Sequence, residues 1–430
     1  MNLVRYLMES RGPVNAARRL TVIGRRFGLS PARMQRALQD FSAIGQQYGC
    51  TPTLAVTAVL LERYPQVFQP LQETIELAVH GYVHTDYSRL DEAAQAEHME
   101  RALKAFDGLR LKPEGFRCPY LRWNQESLHV AGRFGLTYGS NRALAFDVVQ
   151  PESFSPRAWA AYEKGLRLYG AGEAAGGLSL PCRMDGSLID IPASLPDDEA
   201  MVDRLELGST QAAGIWTRML EQVHQRGELL TLILHHERVA LLRDALEAVL
   251  SSARGYQPPV WVAPLKEIAR WWSDRLTWRL QVQRREDGDY LVVAPEAPGA
   301  SVVVRGVETE PAAAPWFGPY QLVPASSFTV RSPRAPVLVP DEGSPSALTV
   351  FLQEEGFAVA EDATTDGLRI SGYTSFDESD KRALIDYIEG SDAPLVRLWR
   401  WPHGARCAMS VTGDVDAMTM VDFLRRPLEV

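Results

Sequence analysis

The first two thirds of the chain switch repeatedly between a helical and a strand-like spacing of apolar residues. Met34, Leu38 and Phe41 recur every three or four positions, which predicts a helix over 31–47. The segment TPTLAVTA then alternates as a strand does, a helix follows around Leu60–Tyr64, and TIELAVH predicts a second strand. Strands that alternate with helices in this way are typical of an α/β fold on a mostly parallel sheet.

The same alternation continues to residue 275, and we predict a first domain over 1–275. Its remaining predicted elements are the helices Asp91–Phe106 and Asn124–Phe134, the turn KPEGFRCPY, and the strands LTYGSN, IDIPASLPDD and ELLTLILHH.

Beyond residue 275 the pattern changes. Short alternating runs separated by Pro and Gly, such as YLVVAP and ASVVVRG, predict a small antiparallel β module over 276–344. Residues 345–404 return to a small α/β unit, with helices in Leu348–Glu355 and Glu378–Glu389. Residues 405–430 then offer one more apolar strand, CAMSVTGDVD, and a tail.

Composition and charge exclude several classes of protein. The chain is 46% apolar and 23% charged, which is typical of a soluble globular protein. No apolar run reaches the roughly 20 residues that span a bilayer, so we expect no membrane partner. Arginines interrupt the N-terminal stretch, so we expect no signal peptide and a cytoplasmic location. A net charge of −9 argues against nucleic acid, and four scattered cysteines without a CxxC pair argue against a disulfide framework or zinc knuckle.

Two pairs of polar residues follow apolar strands. His80 and His84 in HGYVHTD would share one face if that segment were a helical turn, close enough to share a cation. Asp414 and Asp416 in TGDVDA point to the same side of a strand. Taken alone, the histidines could be surface or capping residues and the aspartates a strand-end cap. Taken together, one Asp completes a His, His, Asp triad with an open position, as in catalytic metal sites.

Two further segments supply complementary chemistry. GFRCPYLRWN places Arg117 beside a rigid Cys-Pro-Tyr turn, where it could equally pair with a surface carboxylate. ELLTLILHH ends an apolar strand in His235 and His236, and a histidine at the mouth of a buried strand is a candidate proton donor. The alternative is a polar strand end.

These segments together resemble the polysaccharide deacetylase family, the NodB-homology amide hydrolases, over about 20–275 and the last two dozen residues. The resemblance implies a distorted (β/α) barrel. It also implies Asp416, His80 and His84 as ligands of a divalent metal, Zn²⁺ first and other divalent ions as alternatives. Asp414 would be the general base, oriented by Arg117, and the backbone N–H of Tyr120 would hold the oxyanion.

The resemblance also assigns a leaving-group acid and a substrate surface. His235 would protonate the leaving amine, and Asp197 or Asp198 would tune His235. His236 stands in a position where the family often has proline. We count Asp197 with Trp123 as candidate substrate-binding residues; Trp123 could stack on a sugar face or belong to the core.

The order of the motifs departs from the family. The carboxylate motif comes first in the family and last here, so the chain is predicted to be a circular permutant, into which the β module and the α/β unit are inserted. CAMSVTGDVD should then lie beside TPTLAVTA. The tail could complete its own barrel or, in a homodimer, that of a neighbour.

We therefore expect a metal-dependent deacetylase that hydrolyses a linear amide C–N bond, most simply in an N-acetyl sugar or related small amide. The alternatives are an amidohydrolase of small ureide-like amides and a non-catalytic carbohydrate-binding or scaffold protein. A complete set of acid, base and ligands counts against the last.

Overall fold

The computed structural model describes residues 26–184 and 186–429. The predictions that fall on 1–25, the start of the first domain and the arginine-interrupted stretch, lie outside the described residues. Within those ranges, no helix is both long enough and apolar enough to cross a membrane.

The predicted α/β alternation of the first domain is confirmed by its elements. The strands of this part are β1 Thr53–Val56, β2 Glu76–Val79, β3 Gly115–Phe116, β4 Tyr138–Gly139, β5 Ala143–Ala145, β6 Gly172–Glu173, β7 Cys182–Arg183, β8 Ile189–Asp190, β9 Ala193–Leu195, β10 Leu229–Ile233 and β11 Val260–Val262. The helices are α1 Ala32–Gln47, α2 Val59–Arg63, α3 Pro65–Phe68, α4 Glu92–Gly108, α5 Gln125–Arg133, α6 Pro156–Tyr169, α7 Ser209–Arg226, α8 Val239–Gly255 and α9 Leu265–Arg275.

Short helical turns connect several of these elements. They are the 3₁₀ turns Gln69–Glu73, Tyr87–Arg89, Pro119–Leu121, Pro151–Ser153 and His236–Arg238, and the π turn Ala200–Arg204. Helix starts follow ordinary capping chemistry: the Asp91 side chain accepts from Ala94 N ahead of α4, and Asn124 forms a capping box with Ser127 ahead of α5.

The rest of the chain forms two more sheets and a strand pair before it returns to the first domain. Its strands are β12 Gln281–Arg284, β13 Tyr290–Val293, β14 Val302–Arg305, β15 Glu308–Glu310, β16 Ala314–Phe317, β17 Tyr320–Val323, β18 Ser327–Arg331, β19 Leu338–Pro340, β20 Leu368–Ile370, β21 Leu395–Leu398 and β22 Cys407–Val415. Its helices are α10 Ser346–Glu354, α11 Lys381–Glu389, α12 Met420–Arg425 and the 3₁₀ turns Pro402–Gly404 and Arg426–Leu428.

The main sheet is a curled, open half-barrel rather than a closed one. Its strand order is β10-β22-β1-β2-β3-β4-β8-β7, with β11 also paired to β22, and every pair is parallel except β7 with β8. A small parallel sheet, β6-β5-β9, lies beside β10, where the N–H of Thr231 donates to Ser194 Oγ at 3.0 Å. The carboxyl ends of the parallel strands therefore meet at one edge of the half-barrel.

The C-terminal strand is an inner strand of this sheet. β22 pairs in parallel with β1 in the register Thr53↔Thr412 and with β10 in the register Ile233↔Thr412, and all nine of its residues are buried. The prediction that CAMSVTGDVD lies beside TPTLAVTA is confirmed.

The two units predicted between 276 and 404 share their sheets. β14 pairs with β21 and β19 pairs with β20, so strands from both sides of the predicted 344/345 division hydrogen-bond to each other. The sequence could not show this, because antiparallel and crossover pairing joins strands that lie far apart in the chain. We call residues 276–404 the accessory region from here on.

The accessory region packs against the amino ends of the barrel strands. Trp401 Nε1 donates to Gly227 O at 2.9 Å, Arg400 Nη1 donates to the same carbonyl at 3.2 Å, and Arg382 Nη2 lies 2.6 Å from Glu228 Oε1. Gly227 and Glu228 immediately precede β10. These contacts are consequently at the opposite edge of the half-barrel from the carboxyl ends of its strands.

A buried carboxylate ties this region together. Glu355 accepts hydrogen bonds from Arg397 and Arg400, and its side chain is 4% exposed. Burial raises the pKa of Glu355, but the nearby guanidinium groups of Arg400 and Arg397 outweigh it and lower the pKa to about 2. The ion cluster therefore stays ionised over the physiological range.

Candidate active site

The polar residues singled out in the sequence meet at the carboxyl ends of β1, β2, β10 and β22. Strand β2 delivers His80, β22 delivers Asp414 and Asp416, and β10 delivers His235. They are brought together because neighbouring parallel strands end at the same edge of the sheet.

The two histidines converge through a bend and not through the helical turn that their spacing suggested. Gly81, which follows His80, has φ +75°, and a Cβ there would lie 2.7 Å from Tyr87 Oη. Glycine tolerates both the left-handed backbone and the close approach. The chain turns at this point, and the rings of His80 and His84 come to 5.2 Å between centroids.

The hydrogen bond of His80 leaves its second nitrogen free to bind a metal. His80 Nδ1 lies 2.8 Å from Arg117 O, and a carbonyl can only accept, so Nδ1 carries the proton. In the neutral ring, Nε2 then has a lone pair directed at Asp416 Oδ1, 3.4 Å away. Two lone pairs facing each other are stabilised by a cation placed between them.

His80, His84 and Asp416 fit a divalent cation. One ligand atom from each lies within 4.8 Å of the others. The carboxylate oxygen Oδ1 of Asp416 is buried and has no hydrogen-bond partner among the described residues, which is costly without a further ligand. Two imidazoles and one carboxylate match the donor set of a catalytic zinc site that keeps an open position.

Asp414 lies beside this cluster and is held by Arg117. Arg117 Nη1 donates to Asp414 Oδ1 at 2.9 Å, and the other carboxylate oxygen is 3.9 Å from His80 Nε2. The guanidinium group is itself fixed, because Nε donates to Ser140 O and Nη2 to Ser140 Oγ. The Arg117 side chain is only 2% exposed, so the pairing with a surface carboxylate considered above does not occur.

His235 is oriented by Asp198. Asp198 accepts from both the backbone N and the Nδ1 of His235, each at 2.8 Å. Burial lowers the pKa of His235, but the charge and hydrogen bond of Asp198 outweigh it and the pKa is raised well above its usual value. Arg238 Nη1, 3.4 Å from Asp198, belongs to the same buried network, which the sequence patterns did not single out.

Asp197 has a different environment from its neighbour. Its carboxylate accepts from Ala200 N at 2.8 Å and the residue is 3% exposed. Burial and the adjacent charge of Asp198 raise the pKa of Asp197 to about 7. Of the two aspartates considered for tuning His235, the one in contact with it is Asp198; a substrate contact of Asp197 stays a prediction.

His236 contacts the backbone of the segment that carries Asp414 and Asp416. It is fully buried, with Nε2 3.0 Å from Ala417 O and Nδ1 3.4 Å from Asp414 O. Burial lowers the pKa of His236, whereas the pKa of its neighbour His235 is raised. Of the pair, His235 carries the features of a proton donor, and His236 instead links the end of β10 to the end of β22.

The remaining two candidates, Tyr120 and Trp123, lie in and just after the 3₁₀ turn Pro119–Leu121. Tyr120 has φ 61°, is 42% exposed, and meets the His84 ring edge-on with centroids 4.4 Å apart. Trp123 is half-buried and packs against the main core. The oxyanion role of the Tyr120 backbone and the substrate contact of Trp123 stay predictions.

Arg426 is a further residue at the site that was not identified from the sequence. Arg426, in the 3₁₀ turn after α12, donates to His84 Nδ1, and its Nη1 is 3.1 Å from Asp416 Oδ2. Burial and the Arg426 charge lower the pKa of His84 well below its usual value. The RRPLEV segment has no motif or periodicity that could have indicated this contact.

Residues 34–139, about a quarter of the chain, match the family model described as polysaccharide deacetylase. This stretch contains most of α1, the strands β1 and β2, and the HGYVH and RCPY motifs. The resemblance seen in the sequence is confirmed over these residues.

Solved structures of low similarity accompany this match. A putative polysaccharide deacetylase from Mycobacterium smegmatis is 19% identical, with a TM-score of 0.42 over 54% of this chain and 76% of that one. A probable polysaccharide deacetylase from Pseudomonas aeruginosa PAO1 is 19% identical (TM-score 0.43; 55% and 73% covered). Puue allantoinase is 17% identical (TM-score 0.43; 55% and 72% covered). No curated protein matches the sequence.

Proposed function

We propose that this protein is a metal-dependent hydrolase that removes an acyl group, most simply acetyl, from an N-acylated sugar or related amide. The observation that carries the proposal is the convergence of His80, His84 and Asp416 around the unpartnered oxygen of Asp416. A divalent cation held there would act as a Lewis acid on an amide carbonyl and on a water molecule. Zinc suits this donor set, with other divalent ions as alternatives.

The chain supplies the proton transfers from two sides of this cluster. Asp414, held by Arg117, would accept a proton from the attacking water. His235, whose pKa Asp198 raises, would donate a proton to the leaving nitrogen. An acid and a base on two sides of the cluster are the pair of groups that hydrolysis of an amide requires.

The two carboxylates of TGDVDA can be separated experimentally. Asp414→Asn should retain metal and lose about 10²- to 10⁴-fold in rate, the usual contribution of a general base. Asp416→Ala should lose both metal and rate. Metal content and activity on acetylated sugars and small amides are measured in parallel, with Asp392→Asn, an exposed aspartate of the accessory region, as the control.

The outcomes are distinct. Retained metal in Asp416→Ala would contradict the ligand assignment, and loss of metal in Asp414→Asn would exchange the two roles. Full activity after Asp414→Asn would exclude this residue as the base. A metal-loaded wild-type protein that hydrolyses none of the amides would favour the non-catalytic alternative.

We also propose that the chain order is a circular permutation of the family's. The parallel register Thr53↔Thr412, with carboxylates from the end of the chain and histidines from its first part in one site, supports this. Deleting 406–430 should abolish metal binding. Mixing that truncated chain with His80→Ala should restore activity only if tails are exchanged between subunits, and a truncated chain that stays metal-loaded and active would refute the permutation.

A further inference from the structure

The guanidinium group of Arg426 contacts two of the three proposed metal ligands. Its Nη2 donates to His84 Nδ1 and its Nη1 lies 3.1 Å from Asp416 Oδ2. The Arg426 side chain is 13% exposed, so this contact is made inside the site and not on the protein surface. A positive charge of the chain is therefore already present where a divalent cation would bind.

The hydrogen bond fixes the tautomer of His84. Arginine has no acceptor, so His84 Nδ1 must accept and cannot carry a proton. A neutral imidazole has one ring proton, which must then be on Nε2, 3.3 Å from Asp416 Oδ2. A protonated Nε2 has no lone pair with which to bind a metal.

Metal binding by His84 Nε2 and the Arg426 contact exclude each other. Coordination through Nε2 places the ring proton on Nδ1. That N–H would then face the N–H of Arg426, donor against donor. His80 shows the contrasting case, because its Nδ1 donates to the carbonyl of Arg117 and leaves Nε2 ready for a cation.

We propose that Arg426 is a resident cation of this site, and that a divalent cation binds His84 and Asp416 only after the Arg426 side chain has withdrawn. The inference rests on the metal centre proposed above and adds that the C-terminal turn controls its occupancy. Arg426 is in this sense a competitor for the metal and not a catalytic residue.

The surrounding contacts allow the side chain to leave while the tail stays in place. Asp422 of α12 accepts from Arg63 at 3.0 Å and from Tyr64 Oη at 2.8 Å, and Glu429 pairs with Arg63 on the far side of Arg426. These anchors hold the backbone on both sides of Arg426. Withdrawal then needs only rotation about the side-chain bonds of Arg426.

The matched pair Arg426→Met and Arg425→Met tests the proposal. Both remove one positive charge from the tail, but Arg425 is exposed. Zn²⁺ affinity is measured by calorimetry on full-length, metal-stripped protein whose folding is checked by circular dichroism. Arg426→Met should bind Zn²⁺ about 10-fold or more tightly than wild type, because a charge-assisted hydrogen bond no longer competes, and Arg425→Met should bind like wild type.

A second measurement requires no metal. In ¹⁵N-histidine-labelled wild-type protein, NMR should show His84 as the Nε2–H tautomer; the Nδ1–H tautomer would overturn the proposal. Equal or weaker Zn²⁺ binding by Arg426→Met would also overturn it while leaving the metal centre intact. Absence of Zn²⁺ binding in all three proteins would overturn both the proposal and the metal centre.

Discussion

Met409→Ala should destabilise the whole half-barrel, although Met409 lies more than 100 residues beyond the other strands of that sheet. The Met409 side chain is fully buried, and its register partners are Leu230 of β10 and Val262 of β11. Truncating a buried methionine to alanine costs about 2–5 kcal/mol, from lost transfer energy and the cavity left behind. A typical domain is stable by only about 5–15 kcal/mol.

The expected loss of unfolding free energy can be measured strand by strand. Each 1.4 kcal/mol or so changes the unfolding equilibrium constant about tenfold. Amide protons that exchange only through global unfolding should therefore exchange about 30-fold to about 4,000-fold faster. Hydrogen-exchange mass spectrometry should show this in peptides that cover 53–56 and 229–233 as well as 407–415. Val421→Ala, on the 44% exposed side chain of Val421 in α12, is the control and should change stability by less than about 0.5 kcal/mol.

The reasoning fails if the effect stays local. Faster exchange confined to 407–415, with β1 and β10 still fully protected, would mean that β22 is an edge appendage whose opening the rest of the sheet survives. An unchanged free energy of unfolding would mean that Met409 is not packed as described.

Three further changes test other parts of the structure. Asp198→Asn should lower the pKa of His235, because the charge that stabilises its protonated form is lost, and should move the basic limb of the pH–rate profile to lower pH; an unmoved limb would exclude His235 as the acid. Glu355 has a folded pKa of about 2 against an ordinary 4.5, so its stabilisation is complete above about pH 4.5 and lost as the pH falls toward 2. Denaturant melts of Glu355→Gln should show a loss of about 3–5 kcal/mol at pH 7 and a weaker acid dependence. Gly413→Ala should cost about 1–3 kcal/mol in thermal melts, because its Cβ would lie 2.3 Å from the backbone carbonyl that follows β10, whereas Gly255→Ala, with no atom within 4 Å, should be close to neutral.

The parts of the fold that the sequence predicts are those set by local pattern. The period of Met34, Leu38 and Phe41 locates α1, and the apolar alternation of TPTLAVTA locates β1. Strands of two residues such as β3 and β4 carry too little pattern to be bounded, and the shared sheets of the accessory region depend on pairing between distant segments.

The features of the candidate site likewise divide into those that a local sequence pattern predicts and those that it does not. His80, His84 and the TGDVDA aspartates could be found because each follows an apolar strand in a motif. The bend at Gly81, the anchoring of Arg117 by Ser140 and the approach of Arg426 could not, because they depend on long-range packing that no local pattern encodes. Asp198 was one of two adjacent candidates, and only three-dimensional geometry distinguishes it from Asp197.

The inner position of β22 has a consequence for how the chain folds. During synthesis β1 and β10 are made long before the strand that must lie between them, and until then each has an unpaired edge open to wrong partners. Contacts between segments more than 350 residues apart, such as Thr53 with Thr412, also carry a large loop-closure entropy and slow the search. The half-barrel should therefore assemble late, after the accessory region, whose paired strands are closer in sequence.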